Sequence, residues 1–133
     1  MATEEFSVSI SEAPVEEAEA GWKLHPANGA DLRFLGVVRE TENGRRIAGI
    51  DYSSYGPMAE RELTAICRAL REERPAHRVL IHHRTGFVPV GVASLLIRVG
   101  TPHSAEAFDL AREYLKRIKA TVPVWKTIRY EIP

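Results

Sequence analysis

Apolar and polar positions change period several times along this 133-residue chain, and each change marks an element. Phe6, Val8 and Ile10 alternate with serines, the period-two pattern of a short strand, and Pro14 to Gly21 reads as an acidic turn or short helix. Both look peripheral. Ala30 to Val38 is a stronger strand pattern, followed by a polar turn at Glu42-Asn43-Gly44 and a second strand near Ile47 to Tyr52. Asn-Gly is a strong hairpin signal, because both residues tolerate positive φ. The period then lengthens. Pro57 fits the first position of a helix reaching about Arg74, with Leu63, Ile66, Cys67 and Leu70 on one face.

Val79 to His83 and Val92 to Val99 read as two further strands that can pair, joined by a turn region from Thr85-Gly86 to Val90-Gly91 with Pro89 inside it. A second helix is predicted over Ala105 to Ala120, with Phe108, Ala111, Leu115 and Ile118 inward and Glu106, Arg112, Glu113 and Lys116 outward. Ser104 fits its N-cap, and Glu106 complements its positive end. Val124 to Tyr130 closes the chain as a strand. Two helices on a largely antiparallel sheet make an α+β domain, read here as one unit over residues 1–133 with a peripheral segment at 1–29 and a core at 30–126.

Composition narrows the function classes. A chain of this length buries roughly two-thirds of its unfolded surface in one core. Its 18 basic and 18 acidic residues balance to a formal charge of zero, which argues against nucleic acid as the main partner and makes any anion site local. Cys67 is the single cysteine, so an intramolecular disulfide and multi-cysteine metal sites are excluded and a reducing compartment is expected. No apolar run reaches the length of a membrane span, and the acidic start with Glu4, Glu5, Glu12, Glu16 and Glu17 lacks the order of a signal peptide. The expectation is a cytoplasmic protein.

Candidate chemistry concentrates in Lys119-Ala-Thr-Val-Pro-Val-Trp-Lys126, where a proline break between a helix and a strand forces a turn that can aim both amines at one place. The ordinary fate of a lysine is a solvated surface. Trp125 and the flanking valines are expected to bury this neighbourhood, which disfavours the ammonium form and makes a lysine available as base or nucleophile. Arg39 follows the strand Phe34-Leu-Gly-Val-Val38, where Gly36 permits close approach; its guanidinium suits a phosphate, or else a surface ion pair with Glu40 or Glu42. His103 precedes a helix N-terminus that offers donors to an anion. His82 and His83 suggest metal chemistry, but neighbours on a strand point to opposite faces and do not easily share one ion. Tyr52 is expected to pack helix on sheet, and Gly86 to Gly91 reads as a turn.

In order along the chain, Phe34-Leu-Gly-Val-Val-Arg39, Tyr52-Ser-Ser-Tyr-Gly-Pro-Met-Ala59, His82-His-Arg-Thr-Gly86, His103 with Glu106-Ala-Phe108, and Lys119 through Pro123-Val-Trp-Lys126 resemble the large, catalytic subunit of molybdopterin synthase. The resemblance implies an α/β-hammerhead with a small additional antiparallel β-subdomain, in a homodimer that binds a ubiquitin-like sulfur-carrier subunit at each end as a heterotetramer. It implies sulfur transfer from the thiocarboxylate on the carrier's Gly-Gly C-terminus to cyclic pyranopterin monophosphate, with no metal or organic cofactor. By position, Lys119 and Lys126 become the catalytic amines, and Arg39, His103, Phe34 and Ser104 the substrate-binding set. The chain departs from the family pattern at Ser104, where an arginine is usual, at Val37, and at Thr127-Ile128. An arginine missing from a charged contact costs about 1.5 to 3 kcal/mol of binding. The alternatives are a non-catalytic relative that binds the carrier as a regulatory module, and a small-anion enzyme or metal hydrolase using His82, His83 or His103.

Overall fold

A computed structural model describes residues 6–132, so the acidic Glu4 and Glu5 lie outside it. The elements run β1 (Phe6–Ser11), α1 (Val15–Ala18), β2 (Ala30–Val37), β3 (Thr41–Glu42), β4 (Arg45–Ser54), α2 (Gly56–Glu73), β5 (Arg78–Arg84), β6 (Gly86–Pro89), β7 (Ala93–Thr101), α3 (Ser104–Thr121) and β8 (Val124–Tyr130). This is a mixed α+β architecture with a main sheet of order β1-β5-β7-β2, antiparallel except where β1 runs parallel to β5, and a small sheet built on β4.

Strand alternation decides what each face of the main sheet meets. Val79 and Ile81 on β5, and Leu95, Ile97 and Val99 on β7, pack against Leu63, Cys67 and Leu70 of α2 and Leu110, Tyr114 and Ile118 of α3. The opposite face carries Leu80 and Leu96, and here the topology supplies the cover: β1 and β2 occupy opposite edges of the sheet, so the link between them crosses it. Val15 and Trp22 from that link pack on Leu80 and Leu96. Trp22 Nε1 donates to Asp31 at 2.7 Å, and Arg98 bonds Asp31 and Glu19, which also pairs with Arg33. His82 joins this pinning, accepting from Ser9 Oγ at Nδ1 (2.7 Å) and donating from Nε2 to the Ala13 carbonyl (2.8 Å).

Several expectations change in detail. Asn43 and Gly44 do form a tight turn with φ of 53° and 75°, yet they join β4 to the two-residue β3, while β2 pairs with β7 in the main sheet. The segment after Gly86 is a strand, β6, pairing Gly49 to Tyr52 of β4, with Pro89 at its end where a missing donor is tolerated. Ser104 is the first helical residue of α3; His103 is the N-cap, and it makes no side-chain capping bond. Phe108 is 60% exposed, because the buried stripe of α3 runs through Ala107, Leu110, Ala111, Tyr114 and Ile118; Ala111 and Ile118 are inward as expected, and Leu115 is partly buried against the core. Among the described residues no helix is long and apolar enough to cross a membrane.

Cys67 is fully buried, and burial pushes its thiol up to about 12. The native protein is therefore expected to resist thiol-directed labelling until it unfolds, measured as reaction rate against urea concentration; fast native labelling contradicts this packing. Ile81→Ala, which opens a cavity between β5 and both long helices, is expected to cost about 2–5 kcal/mol in equilibrium unfolding.

Candidate active site

The small sheet fixes the first catalytic candidate. β8 pairs with β4 in a register that sets Lys126 opposite Tyr52 and Trp125 opposite Ser53. Cross-strand partners share a face. Tyr52 is buried with its ring against His83 of the main sheet, so Lys126 is carried to that side and Trp125 to the other. Only Val122 and Pro123 separate α3 from β8, and Lys119 stands in the last helical turn, so the two amines are presented from two elements across a sharp corner. Pro123 ends the helix because its ring bars the residue before it from helical geometry; Val122 is extended at φ −79°, ψ 123°.

Lys119 and Lys126 line one open cavity of about 620 Å³ between the two sheets, together with Phe34, Gly36, Arg39, Glu42, Tyr52 and His83. Phe34 reaches it from β2 and also packs on the main core. Gly36 sits at a bulge in β2; a side chain there would put its Cβ 3.3 Å from that of Leu95, so the glycine serves close strand packing at the cavity wall. Arg39 Nη2 donates to both carboxylate oxygens of Glu42 at 3.1 Å. The ion pair expected as the plain alternative is present, and it lies at the cavity mouth: the Arg39 side chain is 75% exposed, leaving the remaining guanidinium donors free to meet a ligand. Three cations against one carboxylate give the cavity a local positive field in a chain of zero net charge.

The expected burial of the lysines is not found. Trp125 is 51% exposed, and both lysines are exposed on the cavity side. The reason is the register itself, which turns the indole away from the amines. Trp125 instead stacks edge-on with Tyr55 at 5.6 Å over a shallower groove with Ser53 and Ser54 that contains no charged side chain.

His103 and Ser104 do not join the cavity. They sit at the opposite end of α3, and sixteen residues of helix from His103 to Lys119 span roughly 24 Å. Both are exposed. Of the six site candidates, Lys119, Lys126, Arg39 and Phe34 are therefore brought together within one chain, and His103 and Ser104 are not. His82 and His83 are also separated by the sheet: His82 is fully engaged with Ser9 and Ala13 on one face, and His83 lines the cavity on the other. No group of three or more potential metal ligands is found among the described residues.

His83 is the cavity residue whose role the sequence reading did not capture. The alternation of β5 contained the signal, since His83 shares a face with Val79 and Ile81, and the Lys126 partner Tyr52 stacks edge-on against its ring at 5.1 Å. His83 Nδ1 lies 2.7 Å from the Arg84 carbonyl oxygen, which only accepts, so Nδ1 carries the proton. Burial holds its pKa below the usual histidine value; the Arg84 carbonyl bond opposes this, and the charges of His82 and Lys126 reinforce it.

Residues 5–121 match the family model described as MoaE protein, a span that includes Arg39, His103 and Lys119. The chain belongs to the MoaE family. A molybdopterin synthase catalytic subunit from Taeniopygia guttata is 37% identical over 109 residues, covering 81% of this chain and 70% of that protein. One from Halalkalibacterium halodurans is 38% identical over 108 residues, covering 81% and 69%. The crystal structure of molybdopterin synthase from Staphylococcus aureus aligns with a TM-score of 0.83 at 30% identity over 99% of this chain and 96% of that one. A chain from the complex of subunits 1 and 2 of molybdopterin-converting factor from Helicobacter pylori has the same fold at 19% identity, with a TM-score of 0.69 over 96% and 90%.

The lowered His83 pKa has a thermodynamic consequence. Between its folded value and about 6.5, the unfolded chain binds a proton that the native chain refuses, so the contribution of this group to stability is complete above pH 6.5 and is lost as pH falls through that window. Imidazole NMR resonances are expected to give a midpoint for His83 below 6.5, and urea midpoints between pH 7.5 and 5.5 are expected to fall less steeply in His83→Asn than in the wild type.

Proposed function

We propose that this chain is the catalytic subunit of a molybdopterin synthase. It transfers sulfur from the thiocarboxylate at the Gly-Gly C-terminus of a small ubiquitin-like carrier to cyclic pyranopterin monophosphate, in the cytoplasm, within a heterotetramer built on a homodimer. The observation that carries this reading is the convergence of Lys119, Lys126 and Arg39 on one open cavity in an otherwise neutral protein.

The chemistry asks for what the cavity offers. A phosphate-bearing substrate and a thiocarboxylate are both anions, and bringing them together costs repulsion that fixed cations offset. The exposed Arg39 guanidinium suits the phosphate, because its planar donors match phosphate oxygens in pairs. Lys119 and Lys126 line the same cavity from α3 and β8, where an ammonium donates to the carbonyl oxygen of the carrier terminus as negative charge develops on it. A diglycine tail has no side chains to obstruct its entry between the two sheets. Phe34 supplies an apolar wall for a pterin ring.

His103 and Ser104, some 24 Å from Lys119 along α3, serve the same substrate only from the second subunit of the dimer. Each cavity then draws Lys119, Lys126 and Arg39 from one protomer and His103 and Ser104 from its partner. Ser104 offers a hydroxyl where an arginine is usual, so pterin affinity is lower than an arginine would give, while the lysine chemistry is untouched.

Purified protein mixed with thiocarboxylated carrier and cyclic pyranopterin monophosphate is expected to form molybdopterin, and Lys119→Ala to lower the rate at least about 100-fold. Carrier binding without product from the wild type overturns the enzymatic reading in favour of a carrier-binding module. Mixing Lys119→Ala with His103→Ala subunits is expected to restore about a quarter of wild-type activity, because half the random dimers are mixed and each of these has one intact site. No restoration places both residues in the same protomer's site.

A further inference from the structure

We propose that His83 is a general base in this cavity, taking a proton from the water that releases the carrier from the sulfurated pterin. The inference rests on the reading of the chain as a molybdopterin synthase subunit. Once the carrier's thiocarboxylate sulfur has bonded to a pterin carbon, carrier and pterin are joined as a thioester. The sulfur stays on the pterin only if the acyl carbon–sulfur bond then breaks. A water oxygen adds to the acyl carbon while one of its protons passes to His83 Nε2; the carbon–sulfur electron pair leaves on sulfur, and the imidazolium returns the proton to that thiolate. The carrier departs as a carboxylic acid that ionises in solvent. No oxidant or reductant enters the balance.

Three features of the structure fit His83 to that role. Its Nδ1–H is committed to the Arg84 carbonyl at 2.7 Å, which leaves the lone pair on Nε2 and fixes the tautomer in the way an orienting acceptor does in a catalytic dyad. The ring is held edge-on by Tyr52 at 5.1 Å, so its aim is set by a buried neighbour on β4. It lines the same cavity as both lysines.

The charged and titratable groups around it favour a neutral imidazole. Lys126 on β8 and Lys119 on α3 share the cavity, as do Tyr52 on β4 and Arg39 with Glu42 at the mouth, while His82 faces the other side of the sheet. Glu42, the one carboxylate of the lining among the described residues, is engaged by Arg39 through both oxygens. Burial and the nearby positive charges hold the His83 pKa down, so the ring is an available acceptor at neutral pH. The work then divides: lysines stabilise the oxyanion, and the imidazole takes the proton.

The test is His83→Asn, whose amide nitrogen can keep the bond to the Arg84 carbonyl while Nε2 is lost. In single turnover with thiocarboxylated carrier and cyclic pyranopterin monophosphate, the wild type is expected to yield free carrier and product. The variant is expected to accumulate the carrier–pterin thioester, visible by intact mass, with hydrolysis slowed at least about 100-fold, carrier affinity within about threefold of wild type, and partial rescue by added imidazole. The acidic limb of the wild-type pH–rate profile is expected to disappear. Hydrolysis in the variant within about threefold of wild type overturns the proposal, as does a rate loss matched by an equal loss of carrier affinity and thermal stability. A wild type that makes no product at all refutes the parent reading instead.

Discussion

The pairing of β8 with β4 is the constraint on which the site depends. It is a separate, small sheet, held by Ile47, Ile50, Tyr52 and Val88 with Val124 and Ile128 packed against them, and it is joined to the main core by the two-residue corner after α3. Because side chains alternate along a strand, the register alone decides that Lys126 looks toward the main sheet and Trp125 away from it. A slip of one residue would exchange them. The helix end supplies the other amine, and the corner at Pro123 keeps both against the same space.

Everything else in the architecture holds that space open. The main sheet is covered on both faces, one by α2 and α3 and the other by the crossing segment, whose Trp22 and Glu19 are tied to Asp31 and Arg98 of the sheet. Rigid walls matter for a cavity of cations, since mutual repulsion would otherwise let the side chains drift toward water. Elsewhere acids and bases offset one another, as Glu19 and Asp31 do with Arg33 and Arg98, and Arg117 with Glu73 and Glu113, whereas the cavity gathers three cations with Glu42.

Much of this was legible in the residues. The helices, β8 and the Asn43-Gly44 turn followed from period, proline and turn chemistry, and the proline-broken lysine segment pointed to the site. Three things were not. Alternation shows that a strand has two faces but not which sheet it joins, so β2 and β4 read as one hairpin although they belong to different sheets. A four-residue strand ending in proline, β6, has too few alternations to stand out from a turn. Exposure of Trp125 and Phe108 depends on registers fixed by tertiary contacts, so local hydrophobicity pointed both inward. His83 shows the same limit at the site: beside His82 it suggested metal chemistry, and its place in the cavity emerged only once β4 and β8 were seen packed against the face of β5 that carries it.

The central claim is that the amines of Lys119 and Lys126 share one cavity with Arg39, so that a pterin phosphate held by Arg39 lies within reach of both lysines. Its most direct test follows the side-chain NMR signals of both lysines and of Arg39 during titration with cyclic pyranopterin monophosphate, in the absence of carrier. The account predicts that all three signals move together with a single dissociation constant and that Arg39→Ala weakens the response of both lysines. Separate dissociation constants, or lysine signals that do not move while the pterin binds elsewhere, would contradict it.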